Sequence, residues 1–408
     1  MRRGWRGEGA FLLACCREGR EECRRPLELP GGPMDWHALL TLARREGVAP
    51  LLFWQLRQAG LLGAIPVWLA ETLSRGYYAT GAAAVVWQDQ LQGLLPRCRQ
   101  AGCPVLVLKG AVLADRCYAT PALRAMQDID LLVRPLDLPA LHDLLGRQGY
   151  RADDGQGSGS RRPGASSYLT TRYYRPTEGR GLPFHVHTHL VNSTIPNSHL
   201  ISGFPMAPIW QAARRETLCG EEALVLAPHH QLLHLAEHSL RVTHSLSRLQ
   251  YLCDLDRAVR HYGSAIDWEA LCREGREWGL APFLHYPLAL AGRWLQTPVP
   301  AAVSDRLAPG PAGLPERLFA ALLANNIRRP GLSYLLHLSL QPSGRAQAVF
   351  VMRTLFPPRE VIALRSRIPV GAVGPVHYLR RAAEVAITLL HLTRPGSRPV
   401  RPGSEGGA

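Results

Sequence analysis

The sequence predicts an α+β protein in which a small α/β unit is set between two helical regions. Three observations predict it. Residues 8–95 carry apolar residues at helical spacing and no strand pattern. From Gly102 to about residue 190, short β-prone runs alternate with helical ones, the order reading β-α-β-α-β-β. From about 216 helical spacing returns. The organisation read from this is an N-terminal helical region over 1–100, an α/β core over 101–215, a C-terminal helical region over 216–394 and a disordered tail over 395–408.

Each element has a local reason. In MDWHALLTLARREGVAPLLFWQLRQAG, Leu39, Leu40 and Ala43 form one apolar stripe and Leu51, Leu52 and Leu56 another, with Gly47 and Pro50 marking the break. A second helical stretch runs from Pro66 to about Arg99. CPVLVLKG, after Gly102, reads as a short buried strand, and AVLADRCY has helical spacing. DIDLLV is the next strand. RPLDLPALHDLLGRQGY follows as a helix, with Asp137 placed to cap it and Pro139 in its first turn. DDGQGSGSRRPGASS is polar and glycine-rich and reads as a mobile loop. SYLTTRYYRP and LPFHVHTHLV flank TEGRG as a hairpin would. HHQLLHLAEHSL, SLSRLQYLCDLDRAVRHYG and DWEALCREGREWGL are the clearest later helices. TRPGSRPVRPGSEGGA lacks the apolar content to pack.

Composition excludes several classes. The 408 residues are 46% hydrophobic, enough for a large buried core. Nine cysteines, with no CxxC, argue against a disulfide framework or a structural zinc site and for a reducing, cytoplasmic compartment. FLLACC near the N-terminus is too short for a signal-peptide core, and no run is long and apolar enough to span a membrane. AAEVAITLLHLT, interrupted by Glu384, suits a buried or surface-lying helix. The net charge of +15 invites a nucleic-acid surface, but the arginines are scattered and form no basic block beside aromatics. An arginine-rich, GC-rich coding background is the favoured account.

Against that background one residue stands out. Lys109 is the sole lysine in the chain, and it closes the strand VLVL just before Gly110. A glycine at a strand-to-helix turn lets a phosphate approach the backbone, and a lysine beside it adds a compact positive charge. Asp128 and Asp130 stand at i and i+2 on the next strand, so both carboxylates leave from one face. Such a pair can hold one or two Mg²⁺ ions for phosphoryl displacement. Arg124, four residues before Asp128, is placed for a second phosphate contact.

LKGAVLADRCYATPALRAMQDIDLLV resembles the signature of the uncharacterised nucleotidyltransferase family of the polymerase-beta-like superfamily. The residues that carry the resemblance are Lys109, Gly110, Tyr118, Arg124, Asp128 and Asp130. MDWHALLTLARREGVAPLLFWQL resembles the family's N-terminal helices. LLHLAEHSL, with LCDLDRAV, resembles its C-terminal helices, and LFPPREVIALR its closing segment, so most of residues 8–380 is covered. The resemblance implies a polymerase-beta-like α/β domain with a mixed sheet. It implies metal-dependent transfer of a nucleoside monophosphate from an NTP to an acceptor hydroxyl, releasing pyrophosphate. Asp128 and Asp130 would be catalytic and metal-holding, with Mg²⁺ or Mn²⁺ as cofactor, and Lys109, Gly110 and Arg124 nucleotide-binding. The acceptor, a small molecule, sugar, lipid-linked intermediate or protein hydroxyl, is not legible, and a nucleic acid end is the less favoured choice.

One position departs from the pattern. A third acid is expected on a later strand, where this chain has Phe184-His185-Val186-His187-Thr188, with His185 at the acid position. His185, His187 and His189 alternate and would share a strand face. Three readings stay open. The site is a degenerate one that binds a nucleotide or polyanion, His185 serves as ligand or base in place of the acid, or Asp153 or Asp154 supplies the carboxylate. His230, His234 and His238 share a helix face, and His234 and His238 match a His-Leu-x-x-His of the family, which reads as packing toward the α/β unit. His142-Asp143 is an isolated pair, and Asp254 reads as a helix contact.

Overall fold

The structure, a computed structural model, describes residues 7–17, 27–152, 171–179, 181–191, 203–310, 313–366 and 368–393. Asp153 and Asp154, the glycine-rich stretch that follows them and the 395–408 tail lie outside the described residues.

Among the described residues four α-helices come first: α1 (Glu8–Cys16), α2 (Trp36–Arg45), α3 (Ala49–Gln58) and α4 (Val67–Gln100). Asp35 caps α2, its Oδ1 accepting from the Ala38 N–H at 2.9 Å. Gly47, at φ 74°, ends the helix in the left-handed conformation that glycine adopts freely. The apolar stripes face inward as their spacing predicts, with Leu39, Leu40, Ala43, Leu51, Leu52 and Leu56 all buried. At 34 residues, α4 is about 50 Å long. Its first half (Leu69, Leu73, Tyr77) packs into the helical core, and its second half (Trp87, Leu91, Leu94, Leu95) packs under the sheet.

The sheet is mixed and has seven strands: β1 (Val105–Val107), β2 (Ile129–Val133), β3 (Tyr150–Ala152), β4 (Thr171–Pro176), β5 (Phe184–His187), β6 (Arg214–Leu218) and β7 (Glu221–Val225), in the order β3-β4-β5-β2-β1-β7-β6. Between them run α5 (Lys109–Val112), which continues as a π turn through Cys117, then α6 (Leu138–Arg147) and α7 (Met206–Gln211). The fold is therefore α+β, as expected, and β4 and β5 pair antiparallel as the hairpin reading requires. Asp137 does precede α6, but its side chain makes no cap bond, because its backbone is already helical at φ −90° and ψ −9° rather than extended.

The return to helices expected at about 216 is corrected by β6 and β7, which form a hairpin and join the sheet through parallel pairing of β7 with β1. Its two-residue turn, Cys219-Gly220, has φ of 53° and 81°, the positive pair of a tight I′ turn. The physical reason for the miss is residue choice, since cysteine replaces the Asn or Asp that normally announces such a turn. β3 is a third strand missing from the sequence reading, three residues long at the sheet edge.

Beyond the sheet come α8 (Pro228–Ser239), α9 (Gln250–Tyr262), α10 (Trp268–Glu277) and α11 (Ala281–Leu295), and then six further helices over 301–393. The last, Pro375–Thr393, exposes Leu379, Ile387 and Leu390 and so lies on the surface. Among the described residues no helix is long and apolar enough to cross a membrane. The two faces of the sheet have different partners. Val105, Val107, Leu131, Val133 and Phe184 pack with α4 and α6, whereas Leu106, Leu108 and Leu132 join the core built by the flanking helices.

Candidate active site

Strand direction brings distant residues together. β1 and β2 are antiparallel, with Val107 opposite Leu131, and the Leu108 N–H donates to the Asp130 carbonyl at 2.9 Å. Lys109, leaving β1, therefore meets Asp128 and Asp130, entering β2. β5 runs parallel to β2 with His185 opposite Asp130, and β4 places Tyr173 opposite His185. Asp130, His185 and His187 all leave on the face turned toward the helices.

Asp130 Oδ1 is the hub. Lys109 Nζ donates to it at 2.9 Å, with His187 Nε2 at 2.9 Å and His185 Nδ1 at 3.1 Å. Burial would raise this carboxyl, but the Lys109 ammonium and the two imidazole hydrogen bonds outweigh it and hold Asp130 well below the usual carboxylate range. Asp128 is displaced the other way. Burial first, and then the Asp130 charge, push its carboxyl up. Its Oδ2 accepts from the Tyr173 hydroxyl at 3.2 Å and lies 3.7 Å from His185 Nδ1. Tyr173 also stacks on His185, with centroids 4.0 Å apart and planes 4° from parallel, which fixes the ring. His187 is pushed well below its ordinary value by burial and by His185, so it is neutral. Its Nε2 then donates to Asp130, and its buried Nδ1 has no hydrogen-bond partner among the described residues.

The turn after β1 differs from its expected form. The left-handed conformation falls on Lys109, at φ 37°, and not on Gly110. A lysine there is strained, and such strain is held only where surrounding contacts enforce it. Gly110 is needed for space, because a Cβ would lie 2.5 Å from Met126 Sδ and 2.8 Å from Arg124 Nη1. Arg124 thus lies against Gly110, but its guanidinium is engaged. Nε and Nη2 both donate to Asp254 of α9 at 2.8 Å, and the Tyr118 hydroxyl donates to the same carboxylate at 2.7 Å. Arg257 covers the Tyr118 ring at 4.9 Å.

The histidines of α8 part company. His230 turns to Glu274, at 2.9 Å. His234 is buried and His238 half-buried beside the Lys109 charge, and desolvation followed by that charge pushes both well down. Among the described residues both ring nitrogens of His234 lack a hydrogen-bond partner. His238 packs on His244, 4.4 Å between centroids, and His244 in turn is bonded to the Tyr251 hydroxyl. His189 lies beyond the end of β5 and bonds to Val191, apart from the His185–His187 pair. His142 reaches Tyr174 and not the site. Sequence reading missed Tyr173 and the anchoring role of Asp254. The hairpin register would have found the first, since it sets Tyr173 across from His185.

Asp130, His185 and His187 each offer a ligand atom within 4.8 Å of the others. One carboxylate and two imidazoles fit a divalent metal ion of the first transition row better than a hard ion that wants oxygen, and Asp128 adjoins them with a further oxygen. Lys109 bonds the same Asp130 oxygen, so ammonium and metal compete there.

A family model described as "Uncharacterised nucleotidyltransferase" matches residues 32–296. No curated protein and no solved structure matches the chain.

Proposed function

The chain belongs to the uncharacterised nucleotidyltransferase family, and from that premise we propose that it moves a nucleoside monophosphate from an NTP to an acceptor hydroxyl at the Asp128–Asp130 edge. The bond between the α-phosphorus and the bridging oxygen breaks, pyrophosphate leaves, and a new bond forms to the acceptor oxygen. The observation that carries this reading is the convergence of Lys109, Asp128, Asp130 and His185 at one end of adjoining strands.

Lys109 exchanges Asp130 for the triphosphate as the nucleotide enters, and Gly110 and Arg124 form the wall beside it. Asp128 and Asp130 would hold Mn²⁺ or Mg²⁺, which would neutralise charge developing on the phosphates. His185, stacked on Tyr173 and in the place of a third acid, takes the acceptor proton. Small molecules, sugars and protein hydroxyls are the favoured acceptors, in the cytoplasm. The test is to incubate the protein with each α-labelled NTP, Mn²⁺ or Mg²⁺ and a cell extract, and to find where label lands. Label on an acceptor, with pyrophosphate released, is the expected result.

A second reading has its own support. Lys109 already neutralises Asp130, and an imidazole stands where a third acid is expected. A protein that only holds a nucleotide or polyanion would show NTP binding without label transfer under either metal.

A further inference from the structure

A second group of metal-capable side chains lies off the sheet, on residues that nucleotide transfer does not use. His229 and His230 open α8, and Glu274 lies near the end of α10. His230 Nε2 is 2.9 Å from Glu274 Oε2 and His229 Nε2 is 3.8 Å from the same oxygen. Successive helix residues point about 100° apart, since a turn takes 3.6 residues. The two rings nonetheless lie 4.0 Å apart, both turned to Glu274. Ligand atoms of a tetrahedral zinc site, bound at about 2.0–2.2 Å, sit roughly 3.3 Å from one another, which the observed separations bracket.

The electrostatics suit a cation. Burial lowers His230 to about 4, and burial together with His230 lowers His229 to about 4, so both rings are in the neutral form that a metal takes. Burial raises the Glu274 carboxyl, and the cation nearest to it, Arg273, is 3.6 Å from Oε1 on a side chain that is 56% exposed. Asp267 adds negative charge toward His229 and Glu274 while its Oδ1 caps α10 through Ala270, and Arg214 opposes it at His229. Side-chain exposures of 13% for His229 and 14% for Glu274 leave water a way to a fourth ligand position.

The geometry points to a zinc-binding site made by His229, His230 and Glu274, with an exchangeable fourth ligand. Two imidazoles and a carboxylate form a donor set that zinc accepts. Once His230 Nε2 binds the ion, its ring proton moves to Nδ1, which is buried without a partner among the described residues. That missing outer hydrogen bond costs about 10–100-fold in affinity. The ion pins α10 to the start of α8, one turn before His234, and so braces the helix that lies beside Lys109.

The test uses the full chain stripped with EDTA and titrated with ZnCl₂. Bound zinc is counted by equilibrium dialysis and Tm is followed in parallel, for wild type, His229→Ala, Glu274→Gln and His185→Ala. Glu274→Gln keeps an acceptor for His230, so it preserves the fold. The expected result is that His229→Ala and Glu274→Gln each lose one zinc per chain, and with it a zinc-induced Tm rise of about 2–5 °C, while His185→Ala keeps the zinc that those two variants lose and its Tm rise, any zinc it loses being that of the Asp130–His185–His187 group. Zinc stoichiometry and Tm rise unchanged in His229→Ala and Glu274→Gln overturn the site, as does zinc binding that His185→Ala removes entirely. Neither result depends on whether the protein transfers nucleotides.

Discussion

Two ion pairs hold the segment that leads into β2 and differ in kind. Arg124 and Asp254 form a closed pair, in which both guanidinium bonds measure 2.8 Å and the Tyr118 hydroxyl adds a third. The pair ties the segment before β2 to α9, and its fork geometry is fully used. Lys109 and Asp130 form an open pair. Three donors crowd one oxygen, a second carboxylate stands beside it in a raised state, and neighbouring imidazole nitrogens have no partners. A closed pair holds elements together. An open one keeps charge in a strained, replaceable arrangement, which is what an incoming phosphate or metal needs.

The sharpest separation comes from the acids. Asp128→Asn and Asp130→Asn should each reduce label transfer by about a thousandfold or more, since metal charge stabilisation is worth several kcal/mol. Transfer at wild-type rate in either variant breaks the assignment.

Arg124→Ala should act on the fold first. It leaves Asp254 buried and uncompensated, at a cost of about 3–5 kcal/mol. Denaturant unfolding should show that loss, with Arg124→Lys recovering only part because it cannot fork. If Arg124→Ala unfolds like wild type yet loses NTP affinity, the closed pair opens in use and Arg124 contacts phosphate directly.

Lys109→Ala should weaken NTP binding about tenfold or more while raising metal affinity, because the competing ammonium is gone. Lys109→Arg should restore binding in part, since a planar fork cannot present a compact charge at that point. Equal NTP affinity in wild type and Lys109→Ala would make the lysine a bystander.

His185→Glu should shift metal preference by several-fold. If His185 also ligates the metal from the proposed third-acid position, its imidazole favours Mn²⁺ over Mg²⁺, and a carboxylate there favours Mg²⁺. A wild type equally active with both ions would remove His185 from that role.

The smallest effect is in stability against pH. A carboxyl raised in the fold, as Asp128 is by burial and by Asp130, stays protonated where the unfolded chain has already ionised, above about 3.9. Its contribution is therefore most favourable at low pH and falls as pH rises through the raised value. Asp130, held low by Lys109, contributes in the opposite sense, its stabilisation present at neutral pH and lost as pH falls through the lowered value. Asp128→Asn should thus gain a degree or two in Tm at pH 7 and lose that gain near pH 4. A Tm difference that does not vary with pH would contradict it.

The strand pair carrying Lys109, Asp128 and Asp130 was legible in the sequence because each residue sits at a strand end marked by glycine or by i, i+2 spacing. His185 and His187 were legible by alternation. Arg124 was visible but its partner was not, since Asp254 is 130 residues away and only tertiary packing joins them. Tyr173 needed a register, and β6–β7 was hidden by a cysteine in the turn. The strain at Lys109 had no sequence signal, because lysine does not announce a positive φ.

The lysine count has a practical consequence. Lys109 is the sole lysine in the chain and is 5% exposed. Every other basic side chain is an arginine or histidine, so the one ε-amine of the sequence is the buried group that bonds Asp130. An amine-directed acylating reagent would find that group shielded in the folded protein and reachable when it opens. The chain therefore carries a natural single-residue reporter, and protection of one peptide in a mass spectrum would read directly on whether the Lys109–Asp130 pair is shut, swung toward a nucleotide, or unfolded.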